Sequence, residues 1–420
     1  MKKLFGVFFV NSALLFAGFG NLGIVKDLSS PETDFSFVFE QVDKKIISFG
    51  YNNIFHSGPQ QLFISKYEQN GSLEEKIIKG EKVFSSLFPV AKQPDGKIIL
   101  VGRLEKNSPT KTFVLVARIF LDGTLDTTFG DKGIVTDEIE ASSAYSTASG
   151  FALLSNGKMI LSGDTQNYPV MKNFLLKLDS NGMRDTTFGN KGVVLHPWQD
   201  AWTSYLLNYK EKYLYLGGTN YKKGRSSIVY RMTLDGEFDT TFGTKGALVA
   251  PSYCDTYSYL TGFSITSEDK ILVNCLCYDK TFSPYFAFQT NLDGKLDTAF
   301  ATSGVLDISG STPVKTWLSS LLSAQPNGDI FAAFKLGDPL KIILKKFSKE
   351  GKNQTLFGKD GTLELDFSPH ETGKVSNLVF LQSGKIILPV TGYSYRPGTG
   401  EILSTTAMMA RITSDGKLDK

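Results

Sequence analysis

The stretch Leu121–Val135, LDGTLDTTFGDKGIV, recurs along the chain with its internal spacing unchanged. A turn glycine precedes a phenylalanine by six residues at Gly123/Phe129, Gly182/Phe188, Gly236/Phe242, Gly294/Phe300 and Gly351/Phe357. Four residues beyond each phenylalanine stands another glycine: Gly133, Gly192, Gly246, Gly304 or Gly361. Such a chain must repeat one structural unit, and a strict repeat overrides the two or three domains that 420 residues would otherwise suggest.

A second element alternates with the first: a polar turn, a short apolar strand and often a glycine. It reads Asp95-Gly96-Lys97-Ile98-Ile99-Leu100-Val101-Gly102, then Asn156-Gly157-Lys158-Met159-Ile160-Leu161-Ser162-Gly163. Variants begin at Lys45, Lys212, Lys270, Asp329 and Lys385, giving seven copies at steps of 52 to 61 residues. Each unit divides into four strands, a to d, joined at a–b and c–d by tight turns in which glycine supplies positive φ. Strands b and c run apolar with little alternation, as in Ile98–Val101 and Phe113–Ala117, which is expected of strands covered on both faces. The expected fold is all-β, a seven-bladed β-propeller of four-stranded antiparallel blades spanning residues 19–420. The two ends carry complementary half-motifs, Phe19–Val25 and Ser414–Lys420. Phe19–Val25 is therefore expected to complete the C-terminal blade as its outer strand and to close the ring by main-chain hydrogen bonds.

On the residues LDGTLDTTFGDKG and QPDGKIILVG, the chain resembles the delta-60 repeat proteins, a bacterial repeat family of about this period. The resemblance covers about residues 19–420 and implies a propeller-like, commonly exported protein without a defined activity. The first unit departs from it, with Ile77 where phenylalanine should stand, and the fifth reads Phe300-Ala301 for Phe-Gly.

Met1–Ala17 has the outline of a secretory signal peptide, with Lys2 and Lys3 before an apolar run, so residues 1–18 are expected to be removed on export from a bacterium. The run is shorter than the ~20 residues a membrane span needs, and no integral span is expected after cleavage. With 45 Lys+Arg against 42 Asp+Glu the chain is near neutral, and it lacks the basic blocks that nucleic acid requires. A monomer is expected.

No constellation specifies a reaction, and no catalytic residue is assigned. Nucleophile elbow, phosphate loop and zincin motifs are absent. The Asp-Gly-x-x-Asp core of the motif invites a calcium reading, best at Asp179–Asp185, but most copies offer two carboxylates where calcium takes about six to eight oxygens. Aspartates that accept backbone N–H bonds in a turn explain the same residues, so no metal or cofactor is expected. His56, His196 and His370 occupy non-equivalent places in their units. Cys254, Cys275 and Cys277 fall in the fifth unit. A hairpin near Ser267–Lys270 would set Cys275 opposite Gly262 and Cys277 opposite Leu260, away from Cys254, so buried thiols are expected.

The b–c and d–a connections are long and differ between units, and in an antiparallel blade they emerge on one side. Function is usually placed on variable loops over a rigid scaffold. Aromatic residues gather there, with Trp198, Trp202, Tyr221, Tyr257 and Trp317 the leading candidates for ligand contact. The first reading is an exported, non-enzymatic binding or adhesion propeller taking a protein or glycan on this face. The alternatives are a propeller lyase or hydrolase at the channel mouth, or a carbohydrate-binding propeller.

Overall fold

The computed structural model describes residues 24–27, 34–40, 44–51, 61–80, 85–107, 110–140, 145–167, 170–196, 201–221, 225–251, 253–254, 257–278, 284–310, 321–336, 339–395 and 402–419. They form seven antiparallel sheets, six of which have four strands in simple sequential order. The third blade is typical: Tyr145–Leu153, Met159–Asn167, Val170–Leu178 and Val193–His196 run a to d. The first blade is less regular, as its aberrant motif foreshadows. Its outer strand Leu73–Gly80 is long and leaves Gln61–Tyr67 through a bulge between Lys66 and Tyr67.

The apolar core lies between blades rather than within them. Seven clusters of buried side chains each occupy one seam, such as Leu154, Ile160 and Leu175 of the third blade against Leu214, Leu216 and Ile228 of the fourth. This is why strands b and c carry no polar face.

The motif is explained by the same seams. Its phenylalanine, Phe129, is fully buried, and the turn glycine of the following blade, Gly182, lies against that ring. A β-carbon on Gly182 would come within 2.9 Å of the Phe129 ring and 2.7 Å of Val135, and φ there is +86°. Gly236, Gly294, Gly351 and Gly416 meet Phe188, Phe242, Phe300 and Phe357 in the same way. In four of the five the residue after the phenylalanine then donates its N–H to a turn carbonyl of the next blade: Gly130 to Asn181 (2.7 Å), Gly243 to Asp293 (2.8 Å), Ala301 to Glu350 (2.8 Å) and Gly358 to Asp415 (2.8 Å). Side chains reinforce the clasp. Arg118 Nη1 reaches the Ser180 carbonyl at 2.7 Å while its Nε donates to Asp126 Oδ2 at 2.7 Å, and Arg231 repeats this with Leu292 (2.6 Å) and Asp239 (2.8 Å).

The expected ring closure is corrected by this arrangement. Among the described residues no sheet is closed by hydrogen bonds; all seven are open. Neighbouring blades present faces to each other, not edges, so a hydrogen-bonded ladder cannot pass from one to the next. Ile24–Asp27 lies antiparallel to Ile402–Ile412 at the edge of the last sheet, with Ile24 opposite Ala410, and Phe19–Gly23 fall outside the described residues. That sheet has five strands rather than four, because the inner position is divided between Thr372–Val375 and Val379–Phe380. Between the last blade and the first, the ring is held by side-chain packing of Val38, Ile46 and Tyr67 on Val379, Ile387 and Met409, and by Arg411, which donates to the Gln69 carbonyl.

The long b–c connections are partly strand. Ile98–Asn107 and Thr110–Ile119 stay paired from Ile98/Ile119 out to Asn107/Thr110, as do Met159–Asn167 and Val170–Leu178 out to Asn167/Val170. Among the described residues no helix is long and apolar enough to cross a membrane.

Candidate functional site

The motif carboxylates are occupied in turns. Asp122 Oδ1 accepts from the N–H (2.8 Å) and hydroxyl (2.6 Å) of Thr124, and Asp179 Oδ1 from the N–H groups of Asn181 (2.8 Å) and Met183 (2.9 Å). Burial pushes the Asp126 carboxyl up, but bonds from Thr128 and the charges of Lys97 and Arg118 outweigh it and hold the group well below the usual range. Among the described residues no three His, Cys, Asp or Glu side chains gather as a metal would need. His196 packs edge-on against Phe238 at 5.5 Å, and His370 Nδ1 meets Ser394 Oγ at 3.2 Å in a different part of the ring; His56 lies outside the described residues.

The rim shared by the fourth and fifth blades is different. The b–c connection of the fourth blade leaves strand Tyr213–Asn220 and returns at Ser226–Met232, and strand a of the fifth begins at Tyr257. Between them stands Arg225. Its guanidinium carbon is 5.6 Å from the ring centre of Tyr221 and 5.3 Å from that of Tyr257, and its Nη1 donates to the Tyr259 hydroxyl at 2.8 Å. Tyr257 in turn stacks with Tyr278, centres 6.3 Å apart and planes 15° from parallel. Tyr221 and Tyr257 remain 37% and 36% exposed, so ring surface is presented to solvent rather than sealed in the seam.

The backbone holds this group in place. Arg225 has φ +45°, a region that residues other than glycine adopt sparingly, and its carbonyl accepts from the Ser258 N–H of the next blade at 2.8 Å. Beside it, Ser227 N–H donates to Ser258 Oγ at 2.9 Å. A disulfide joins Cys254 to Cys277, Cα atoms 5.5 Å apart, and ties the d–a connection to the end of strand b next to Tyr278. Tyr253, beside the bridge, lies 4.7 Å from Phe286.

The bridge corrects the expectation of buried thiols. A bulge between Leu260 and Gly262 and a one-residue offset at the hairpin put Cys275 opposite Leu260 and Cys277 opposite Ser258, near the start of the strand and within reach of Cys254. Cys275 alone is a buried thiol, pushed up to about 12 by burial.

Of the five candidate aromatics, Tyr221 and Tyr257 meet around Arg225. Trp202 is in strand Ala201–Tyr209, its backbone opposite Thr219, rather than in a loop. Trp198 and Trp317 lie outside the described residues. Two further aromatics beside the b–c connections, Tyr285 and Tyr393, lie in strands and belong to the core, the first fully buried and the second nearly so. Arg225 and Tyr259 were not among the candidates. The one signal was Arg225 itself, a cation four residues after Tyr221 in a connection, Asn220–Ser226, that contains no acidic residue.

One more group is notable. Asp164, opposite Thr147 and Asn173 in the third blade, is partly buried, and burial pushes its carboxyl up to about 6.

Fold and rim together define a seven-bladed β-propeller with an aromatic–arginine cluster on its long-loop face. Residues 93–129 and 154–188 match the family described as a domain of unknown function (DUF5122) beta-propeller, which supports the propeller and repeat character without pointing to the delta-60 proteins in particular. No curated protein matches the chain. Among solved structures, an ulvan lyase of a polysaccharide lyase family is similar at 8% identity and a TM-score of 0.53, over 92% of this chain and 95% of that one. A protein of unknown function from Dyadobacter fermentans is similar at 11% identity and a TM-score of 0.44, over 92% of this chain and 98% of that one. The α-L-arabinofuranosidase of Fusarium graminearum is similar at 11% identity and a TM-score of 0.43, over 91% and 96%. At 8% identity the likeness to the lyase speaks for the fold alone.

Proposed function

We propose that this protein is an exported carbohydrate-binding propeller whose ligand lies on the rim of the fourth and fifth blades. The observation that carries the reading is the pair of part-exposed rings, Tyr221 and Tyr257, held on either side of Arg225 by a bond across the seam and by a disulfide. A sugar offers an apolar C–H face and a rim of hydroxyls. Tyrosine matches it with an apolar face of negative potential and a polar tip, and its two side-chain torsions cost little to fix. Pre-ordering lowers that cost further. The disulfide also supports export, because such bonds persist in oxidising compartments.

The test is retention of the full chain on a panel of neutral and acidic polysaccharides in affinity electrophoresis. Tyr221→Ala and Tyr257→Ala are expected to abolish retention while the melting temperature holds. A chain retained by no polysaccharide would overturn the proposal.

A second reading, a propeller lyase or hydrolase, draws on Asp164, whose raised carboxyl suits an acid or base near neutral pH. Release of reducing ends or unsaturated products, lost in Asp164→Asn, would establish it.

A further inference from the structure

We infer that the rim is selective for saccharides carrying a carboxylate, that is for uronic acids, and that Arg225 reads that group. The inference rests on the carbohydrate reading and deepens it. Arg225 is exposed, and its hydrogen bonds and ring contacts account for only part of its donor set. Nη1 donates to Tyr259, and Tyr221 and Tyr257 lie against the guanidinium. No carboxylate pairs with it among the described residues, whereas Arg118, Arg184, Arg231 and Arg411 each hold an aspartate. Among the described residues, the Nε–Nη2 edge is therefore matched by no carboxylate.

That edge is a planar fork of two parallel N–H groups, which fits the two oxygens of a carboxylate; charge assistance makes such a pair about twice as strong as a neutral hydrogen bond. The flanking rings serve the same ligand. They hold the guanidinium plane in place and offer apolar surface to the pyranose that bears the carboxylate. The bond to Tyr259 and the two rings hold the guanidinium, and the Ser258 N–H holds the backbone beneath it, so the fork is set before the ligand arrives. A neutral sugar would leave the fork unanswered, and a sulfate ester, a much weaker base than a carboxylate, would accept from it less strongly.

The experiment uses the full chain and four immobilised probes: polygalacturonate, alginate, fully methyl-esterified polygalacturonate and dextran sulfate, with dextran as the neutral reference. The wild type is expected to bind at least one polyuronate about tenfold more tightly than the ester, dextran and dextran sulfate. Arg225→Gln is expected to erase that preference. Arg225→Lys, which keeps the charge and loses the fork, should recover less than half of it, and both variants should melt like the parent. Equal binding of ester and acid, preference for dextran sulfate, or an undiminished preference in Arg225→Gln would overturn the inference and leave the carbohydrate reading in place. Failure to bind any of the five polymers would overturn both.

Discussion

Gly182 and Phe129 touch across a seam, the glycine of one blade seated on the ring of the blade before it, at a distance that admits no β-carbon. Gly96 is a useful contrast: it has nearly the same φ, +88°, but a methyl group placed there would meet nothing within 4 Å. Gly182→Ala is therefore expected to cost backbone strain plus overpacking, ~2–4 kcal/mol, and Gly96→Ala only ~1 kcal/mol. Urea unfolding of the two variants checks this, and equal losses would remove the role assigned to the clasp.

Arg118 and Asp126 form a buried pair that also reaches the next blade, whereas Lys210 and Asp269 pair in the open, 65% and 45% exposed. Arg118→Leu removes the link to Ser180 and leaves Asp126 to Lys97 and Thr128, and is expected to destabilise by ~1.5–3 kcal/mol. Lys210→Ala should cost at most ~1 kcal/mol. Chemical unfolding at low and high salt separates them, because only the exposed pair is screened.

The pH dependence of stability should change when Asp164 is neutralised. Its carboxyl is raised from the ordinary 3.8 to about 6 by burial, so between these values the native state holds a proton the unfolded chain has lost, and stability falls as pH rises. His196 is lowered by burial from 6.5 to about 4; there the unfolded chain binds the extra proton, and stability falls as pH drops. The two slopes oppose each other near pH 5. Asp164→Asn is expected to unmask the His196 slope and to raise stability at pH 7 by up to about 3 kcal/mol. Melting curves from pH 4 to 8 read both effects, and an unchanged profile would count against the burial of Asp164.

Reduction should act locally. Opening the Cys254–Cys277 bridge, 23 residues apart, is expected to remove ~3 kcal/mol and to release the connection beside Tyr257 and Tyr278. Iodoacetamide should label no cysteine in the native oxidised protein, Cys254 and Cys277 after mild reduction, and Cys275 only on unfolding. Mass spectrometry gives the count, and native labelling of Cys275 would contradict its burial.

What the sequence disclosed follows from which interactions are local. The strand pattern of each unit was legible because hairpin turns such as Asn156-Gly157 and the apolar run Met159–Leu161 act within a few residues. The purpose of the motif was not, since Phe129 and Gly182 belong to different units and only the stacking of blades joins them. The closure expectation failed for a related reason: complementary half-motifs say which strands resemble each other, not whether a ring of sheets can share a ladder. At the rim, Tyr221 and Tyr257 stood out as loop aromatics, but the only marker of Arg225 was a cation in a connection without acidic residues, which says nothing of its partners in the next blade. The disulfide was hidden by a one-residue offset at the hairpin and a bulge at Leu260, neither of which a residue type announces.

Each clasp reaches in one direction, from the motif of one blade to the turn of the next, so the third to sixth units carry both the phenylalanine and the turn glycine. The units are interchangeable parts. Recombination between two such copies that gained or lost a whole unit would leave the junctions between them matched, and the copy number could drift while the chemistry of the joint stayed fixed. The rim has no such redundancy. Where Arg225 precedes strand c in the fourth unit, the second, third, fifth and sixth have Pro109, Pro169, Pro284 and Leu340. The joints repeat from blade to blade, whereas the arginine of the rim belongs to the fourth unit.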